Sequence, residues 1–255
     1  VVALLFEQSL DGDPNNTGFF SCTGTLLNST LVLTAGHCLE GAGVLNRNTW
    51  VRSTPDEIQL GAELTAFGCV PRTVQCIRDY ANAMWTPGAA FPHPQFDDYS
   101  AFPDTFDVGV VRLSAPIFAP AYGQLPTLGF LNSLLTNKKG ATTDRQVRVV
   151  GFGSQGTIPA FEQNDFQRFQ ATATMQQIER SSLVGSQSVQ LSNNPGAGTG
   201  GGGTCFGDSG GPAFYIDGAS GAETRIVTSV TSFGFSGQCA GRDFNFRMDT
   251  AVALD

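Results

Sequence analysis

Gly207-Asp208-Ser209-Gly210-Gly211-Pro212 is the most informative stretch of this 255-residue sequence. A serine between glycines can lie on a sharp turn with its hydroxyl exposed, and the glycines leave room for another backbone to approach. The amide N–H groups of Gly207 and Ser209 could point together at a developing negative oxygen. The stretch therefore predicts that Ser209 is a nucleophile, although the same pattern alone is often only a turn.

A nucleophilic serine needs a base, and the chain has two histidines. His37 directly follows a predicted strand and is next to Cys38, whereas His93 lies between two prolines in an irregular stretch. A histidine flanked by prolines in a loop is usually a solvated or packing residue. His37 is therefore the predicted general base.

The base in turn needs a carboxylate that fixes its tautomer and stabilises the imidazolium. Asp97, Asp98, Asp104 and Asp107 are the candidates. Asp107 alone directly starts an apolar strand, predicted over residues 108–113. A carboxylate at that place is desolvated yet fixed in position, so Asp107 is the predicted orienting acid. Without the other two motifs, a strand-capping aspartate would be the better interpretation.

The order of these residues along the chain separates two enzyme classes. His37 precedes Asp107, Asp107 precedes Ser209, and no histidine follows the serine. The α/β-hydrolases share the Gly-x-Ser-x-Gly pattern but have the order serine, acid, histidine, so that class is excluded. The order histidine, aspartate, serine is the one found in the chymotrypsin barrels.

Three segments now resemble the signatures of the trypsin/chymotrypsin family: residues 34–38, 107–111 and 207–212. Gly151-Phe152-Gly153 is similar to the turn that opens the family's second barrel. Ser232-Phe233-Gly234 is similar to the strand that pairs with the substrate backbone. The resemblance covers nearly the whole chain.

The resemblance implies an all-β fold of two six-stranded antiparallel Greek-key barrels, with the active site in the cleft between them. The first barrel would span residues 1–118 and the second residues 119–255. Short apolar or alternating segments also favour strands joined by turns. They predict strands over residues 1–6, 25–27, 31–34, 108–113, 147–150, 213–216 and 226–230.

Four other segments give weaker predictions. Residues 85–105, rich in Pro, Phe and Asp, predict a long surface loop, and the glycine-rich residues 193–203 predict a flexible one. Residues 166–183 alternate like a strand at first, and 175–183 could form a helical turn or two. Residues 250–255 offer barely one helical turn.

The activity implied by the resemblance is hydrolysis of a peptide bond without a metal or organic cofactor. His37 would take the proton of Ser209 as it attacks the carbonyl, and the amides of Gly207 and Ser209 would hold the oxyanion. The residues that would contact the substrate are Gly203, Thr204, Phe206, Ser232, Phe233, Gly234 and Asp243.

The specificity pocket has Gly203 at the position of its floor, by the same resemblance. Because Gly203 is not an aspartate, a simple preference for Arg or Lys is not supported. Some relatives carry an acid on the opposite wall, and Asp243 lies near that position. A medium or large apolar side chain is therefore favoured over a basic one.

Relatives begin with Ile-Val-Gly-Gly or a similar segment, whose free amine pairs with the aspartate before the nucleophile, here Asp208. The first residues of this chain resemble the first barrel strand instead. Either that segment is missing before Val1, or Asp208 is satisfied in another way; our hypothesis is that Asp208 has a different partner.

The cysteine pattern predicts disulfides rather than a metal site, because the count is even and the spacing does not fit zinc. The cysteines are Cys22, Cys38, Cys69, Cys76, Cys205 and Cys239. Fifteen connectivities are possible. The resemblance pairs Cys22 with Cys38 and Cys205 with Cys239, which leaves Cys69 and Cys76 to close a small local loop without a common family counterpart.

The chain's surroundings and partners follow from its composition and cysteines. Three disulfides indicate an oxidising, extracellular compartment, and Asn15 and Asn28 fit the N-glycosylation pattern. A net charge of -8 argues against nucleic acid, and no apolar run is long enough for a membrane span. Protein or peptide substrates, protein protease inhibitors and a monomeric state are expected.

Two other classes of protein compete with an enzyme. A catalytically silent protease homologue could act as a binding module, but such proteins usually lose a triad residue or an oxyanion glycine, and this chain keeps them. A purely structural secreted β-protein would not need three matched catalytic segments.

Overall fold

The computed structural model describes residues 1–13, 15–40, 46–54, 58–135, 142–158, 161–163, 166–178, 185–193 and 201–255. Its main strands form two closed barrels of six antiparallel strands each. The predicted all-β fold class is thereby confirmed.

The first barrel is formed by strands that lie between residues 2 and 113. They are β1 (Val2–Ser9), β2 (Thr17–Asn28), β3 (Leu31–Thr34), β4 (Asn46–Arg52), β5 (Thr86–Pro92) and β6 (Gly109–Leu113). Their order around the barrel is β1-β2-β3-β6-β5-β4. A one-turn helix, α1 (Gly36–Leu39), follows β3. Val2, Leu4 and Phe6 of β1 point into the barrel and pack with Val32 and Val111.

Strand β1 is buried along its whole length. The side chains on its other face, Ala3 and Leu5, pack with Trp50 and with Tyr80. Tyr80 belongs to a helical insertion between β4 and β5, formed by α2 (Leu60–Phe67) and α3 (Val74–Met84). Because both faces of β1 are covered, its first five residues, 2–6, form a continuous apolar run and do not alternate.

The helical insertion is fastened by a disulfide and by a buried ion pair. The Cys69–Cys76 disulfide joins the end of α2 to α3, with its Cα atoms 5.6 Å apart. Glu7, fully buried on β1, accepts a hydrogen bond of 2.9 Å from Arg78 Nε and one of 2.7 Å from Asn48 Nδ2. A buried carboxylate without such partners would strongly destabilise the fold, so this cluster fixes α3 against the barrel.

The second barrel has the strand order β10-β11-β14-β13-β12-β7, and β8 and β9 form a separate pair. These strands are β7 (Gln146–Gly151), β8 (Gly156–Ile158), β9 (Phe161–Gln163), β10 (Phe169–Ile178), β11 (Ser188–Asn193), β12 (Pro212–Ile216), β13 (Glu223–Gly234) and β14 (Gly241–Arg247). Two helices accompany them, α4 (Phe130–Leu135) and the one-turn α5 (Ala251–Leu254), which Thr250 caps. The single helical turn predicted at residues 250–255 is confirmed.

One apolar cluster contains residues from both barrels. Leu33 and Val108 of the first barrel are buried with Val227, Val230 and Phe246 of the second. This packing brings the ends of β3 and β6 against β13. His37 lies shortly after the end of β3, and Asp107 lies shortly before the start of β6. The fold therefore places both residues beside the second barrel.

The prediction of one long loop over residues 85–105 is wrong for its first part, because β5 covers Thr86–Pro92. A Cβ on Gly88 would lie 2.5 Å from Val111 Cγ1, so the strand needs a glycine for its close approach to β6. The small residues and prolines of β5 have low strand propensity, so the sequence does not predict a strand there. Turns follow from residue 94 to residue 103.

The helical turn predicted over residues 175–183 is also wrong where it can be compared. Strand β10 continues to Ile178 and pairs there with Val189 of β11. Residues 179–183, and residues 194–200 of the predicted glycine-rich loop, lie outside the described residues. Within the described part of the chain, no helix is long and apolar enough to cross a membrane.

Candidate active site

His37 lies in α1, directly after β3. The Cys22–Cys38 disulfide ties this turn to β2, with the two Cα atoms 6.3 Å apart. The His37 side chain is 23% exposed, and its Nδ1 faces the carboxylate of Asp107. The ring therefore has one buried partner and remains partly accessible.

Asp107 is fully buried just before β6. Its Oδ1 accepts a hydrogen bond of 2.8 Å from the His37 backbone N–H, and its Oδ2 lies 2.9 Å from His37 Nδ1. The hydroxyls of Ser232 and Tyr99 also donate to Oδ2, the latter at 2.8 Å. Because a carboxylate can only accept, it keeps the proton of the neutral His37 ring on Nδ1 and leaves Nε2 as the basic nitrogen.

The two groups shift each other's pKa in opposite directions. Burial by itself lowers the pKa of His37, but the charge of Asp107 and its hydrogen bond outweigh burial and raise that pKa above its usual value. Burial by itself raises the pKa of Asp107, but His37 and the hydrogen bonds that the carboxylate accepts lower it below the usual range. The pair therefore favours an ionised Asp107 beside a histidine that accepts a proton readily.

A backbone hydrogen bond ties Ser209 of the second barrel to the first barrel. Its carbonyl oxygen accepts a bond of 2.8 Å from the Thr23 N–H of the first barrel. The next residue, Gly210, has φ +75°, and a Cβ there would lie 2.0 Å from Thr34 Oγ1, so only glycine fits. Among the described residues, Ser209 Oγ and His37 Nε2 form no hydrogen bond. In enzymes that use a serine and a histidine, the bond between the two side chains is often long in the absence of substrate.

The peptide between Phe206 and Gly207 is oriented by a neighbouring turn. The Phe206 carbonyl accepts a hydrogen bond of 2.9 Å from the Ser154 N–H. In a planar trans peptide the N–H points away from the C=O, so the Gly207 N–H is directed away from Ser154. Thr23 Oγ1 also donates to the Gly207 carbonyl at 2.9 Å, and it accepts from the Phe152 N–H at 3.0 Å. Thr23 thus holds the loop that carries the candidate oxyanion amides.

The Cys205–Cys239 disulfide joins the segment before Ser209 to the loop between β13 and β14. These two strands pair, and Gly234 at the end of β13 faces Asp243 of β14. Asp243 Oδ2 accepts bonds from the Thr204 N–H at 2.9 Å and the Thr204 hydroxyl at 2.8 Å. Burial raises the pKa of Asp243 more than these bonds lower it. The segment before Ser209 and strand β14 therefore meet at a buried carboxylate.

The predicted pocket floor, Gly203, is backed by Asn193 of β11. A Cβ on Gly203 would lie 2.1 Å from Asn193 Oδ1, so the asparagine occupies the place of a side chain at 203. Asn193 Nδ2 donates to Asp243 Oδ1 at 2.9 Å and to the Thr204 carbonyl at 2.8 Å. A neutral amide therefore occupies the space that a side chain at position 203 would take.

The remaining predicted contact residues lie around this region and differ in their exposure. Phe206 is 61% exposed, whereas Ser232 is buried through its bond to Asp107. Phe233 stacks on Phe244 of β14 with their ring centroids 4.9 Å apart.

The family model described as Trypsin matches residues 12–253 of the chain. This chain belongs to the trypsin family. A solved structure titled "HL collagenase" is similar to it, with a TM-score of 0.59 and 17% sequence identity over 97% of this chain and 88% of that one. At that identity the likeness supports the fold alone, and the chemistry of the site has to be argued from the residues of this chain.

This trypsin-family chain gives Asp208 two backbone partners. Its Oδ1 accepts from the Gly153 N–H at 2.8 Å, and its Oδ2 accepts from the Cys205 N–H at 2.9 Å. Burial outweighs both bonds and raises the pKa of Asp208 to about 6. The sequence predicted a partner other than a free amine, and these two amides, one of them from the Gly151-Phe152-Gly153 turn, donate to the carboxylate in the structure.

The other histidine and two of the other candidate aspartates make contacts outside the pair formed by His37 and Asp107. His93 stacks on Phe106 with the ring centroids 5.2 Å apart, and burial lowers its pKa. Asp104 accepts from the Ser186 hydroxyl at 3.1 Å, and Asp97 accepts from the Ala101 N–H at 3.3 Å.

One group of possible metal ligands occurs in the described part of this trypsin-family chain, formed by Cys22, His37 and Cys38. Both sulfurs belong to one disulfide. Zinc is bound by thiolates, which a disulfide does not offer, so the group does not fit a metal.

Sequence reasoning missed three residues of the site: Thr23, Tyr99 and Asn193. Thr23 and Asn193 lie in strands and have no motif around them. Tyr99 lies in the stretch interpreted as a loop, and its position eight residues before Asp107 gave no signal by itself. The roles of Thr23 and Asn193 follow from hydrogen bonds to residues far away in sequence, and the role of Tyr99 follows from its contacts with Asp107 and His37.

Proposed function

We propose that this chain is a secreted serine endopeptidase, with His37 as general base, Asp107 as its orienting acid and Ser209 as nucleophile. The observation that carries the proposal is the pair of hydrogen bonds from the backbone and ring of His37 to the buried Asp107. This pairing leaves Nε2 as the basic nitrogen of a neutral ring, which is what a general base requires.

In the first half of the proposed reaction, His37 Nε2 takes the proton of the Ser209 hydroxyl as Oγ bonds to the peptide carbonyl carbon. The carbonyl oxygen becomes an oxyanion, to which the amides of Gly207 and Ser209 donate. His37 then gives its proton to the leaving nitrogen, the C–N bond breaks, and an acyl-enzyme ester remains. Water releases the acid by the same steps, with His37 again as base.

Digestion of an unfolded protein substrate tests this proposal, with Ser209→Ala as the matched control. Internal cleavage by the wild type and none by the variant would support it. Equal lack of cleavage would instead favour a catalytically silent homologue that acts as a binding module.

Thr23→Val should lower kcat about tenfold with KM within about twofold, because the Gly207 carbonyl loses its donor and the oxyanion amide beside it loses its fixed orientation. Thr25→Val is the matched control. Thr25 lies two residues along the same strand, and its buried hydroxyl has no hydrogen-bond partner in the described part of the chain. Equal kcat values for the two variants would show that Thr23 does not hold the oxyanion loop.

We further propose that the pocket takes a medium or large apolar side chain. The support is the backing of Gly203 by a neutral amide and the use of both Asp243 oxygens as acceptors from Asn193 and Thr204. In a peptide library, kcat/KM for Leu or Phe before the scissile bond should exceed that for Arg or Lys by about tenfold. Preferred cleavage after Arg that Asp243→Asn abolishes would contradict this proposal and assign a basic specificity.

The same proposal includes an extracellular location, action on protein or peptide substrates as a monomer, and inhibition by protein protease inhibitors. Three disulfides support the oxidising compartment. The net charge of -8 supports the absence of nucleic acid among the partners.

A further inference from the structure

Tyr99 is held in an unusual backbone conformation beside the candidate active site. It lies in the turn between β5 and β6, where Asp98 and Tyr99 have φ values of 55° and 64°. Left-handed backbone at two successive residues other than glycine costs free energy and persists only where the surroundings fix it. Here the Tyr99 carbonyl accepts from the Phe102 N–H at 3.1 Å, and Asp97 bonds to the Ala101 N–H.

The ring of Tyr99 is clamped between two other aromatic rings. Phe96 and Phe233 both meet it edge-on, each with a centroid distance of 5.8 Å. Phe233 follows Ser232 in β13 of the second barrel, so the Tyr99 ring bridges the loop of the first barrel and a strand of the second. Edge-to-face contacts of this kind are favourable and restrict the ring.

The Tyr99 hydroxyl contacts both members of the acid–base pair. It donates to Asp107 Oδ2 at 2.8 Å, and its oxygen lies 3.0 Å from His37 Nδ1. Burial and the charge of Asp107 raise the pKa of Tyr99, so the hydroxyl keeps its proton and remains a donor. With that proton directed at Asp107, the phenolic oxygen can accept from His37 only if Nδ1 carries the ring proton.

We propose that Tyr99 is a positioning residue of the hydrolytic reaction, whose hydroxyl holds the Asp107 carboxylate and, through it, the His37 ring in the productive tautomer. This inference rests on the proposed function. Asp107 Oδ2 then has three donors, from His37, Ser232 and Tyr99. The Tyr99 bond restricts rotation of the carboxylate and disperses its charge.

The direction of the electrostatic effect follows from the groups that face His37. Asp107 and Asp98 are the charged groups there, and both raise the pKa of the ring. Ser232 contributes a neutral hydroxyl from β13. Removal of the Tyr99 hydroxyl concentrates the negative charge of Asp107, which stabilises the imidazolium. The pKa of His37 should therefore rise further.

Tyr99→Phe tests the inference, because it removes the hydroxyl and keeps the ring contacts. We expect kcat to fall about fivefold with KM within about twofold. The acid limb of kcat/KM against pH should move up by about 0.5 unit. Tyr215→Phe, in which the altered ring packs on Phe130 of α4, is the matched control and should change neither. Thermal unfolding of both variants checks that they fold.

An NMR titration of the histidine rings gives a second readout that needs no activity. The chain has two histidines, so comparison with His93→Gln assigns the His37 signals. We expect the pKa of His37 to be about 0.5 unit higher in Tyr99→Phe than in the wild type. An unchanged His37 titration would overturn the role of Tyr99, whether or not the protein hydrolyses peptides. Failure of the wild type to hydrolyse any peptide would overturn the proposed function instead.

Discussion

His37→Ala is expected to reduce kcat for peptide hydrolysis by about 10⁶-fold, since the loss of one member of a catalytic triad removes nearly all that the triad contributes. Ser209 would then have no base to accept its proton, and the leaving nitrogen would have no acid. Asp107 would keep the hydrogen bonds from the backbone N–H of residue 37, from Ser232 and from Tyr99, so the variant should fold.

Steady-state kinetics at saturating substrate measure this effect. His93→Gln is the matched control, because His93 stacks on Phe106 away from the pair of His37 and Asp107. We expect its kcat to stay within about twofold of the wild type. A His37→Ala variant with more than a hundredth of wild-type activity would show that another group acts as base.

Asp107→Asn should lower kcat by about 10⁴-fold while the fold is retained. The asparagine amide would present N–H donors where the carboxylate now accepts from His37, Ser232 and Tyr99. The ring would then place its proton on Nε2, and this nitrogen could no longer accept from Ser209. The variant also lacks the charge that raises the pKa of His37.

Asp104→Asn is the matched control for this substitution, since Asp104 lies in the same loop and bonds to Ser186. It should leave kcat within about twofold of the wild type. Similar losses in both variants would mean that the loop, and not the Asp107 carboxylate, determines the activity.

The fold could be predicted from sequence where local patterns carry the information. The apolar run at residues 1–6 and the alternating runs at 147–150 and 226–230 correspond to β1, β7 and β13. Strand β5 was not predicted because glycine and proline are typical of loops, although Gly88 is required here for the close approach to β6. The helices α2 and α3 were not predicted because their apolar residues pack on β1, and this contact cannot be inferred from a local sequence pattern.

The candidate site divides in the same way. His37, Asp107 and Ser209 each lie in a short motif, so their types and their order along the chain were sufficient to select them. Asn193 and Tyr99 act through hydrogen bonds to Asp243 and Asp107. Asn193 lies 50 residues from Asp243 in sequence, and the pairing of β11 with β14 brings the two residues together.

Reaction with a peptide phosphonate that is directed at activated serines tests the central claim most directly. Mass spectrometry of the digested protein should find one phosphonate on Ser209 in the wild type, and His37→Ala should show none under the same conditions. Tyr215→Phe should label like the wild type. A folded wild-type protein that does not react, or a label that persists without His37, would contradict the account of Ser209 as a nucleophile activated by His37 and Asp107.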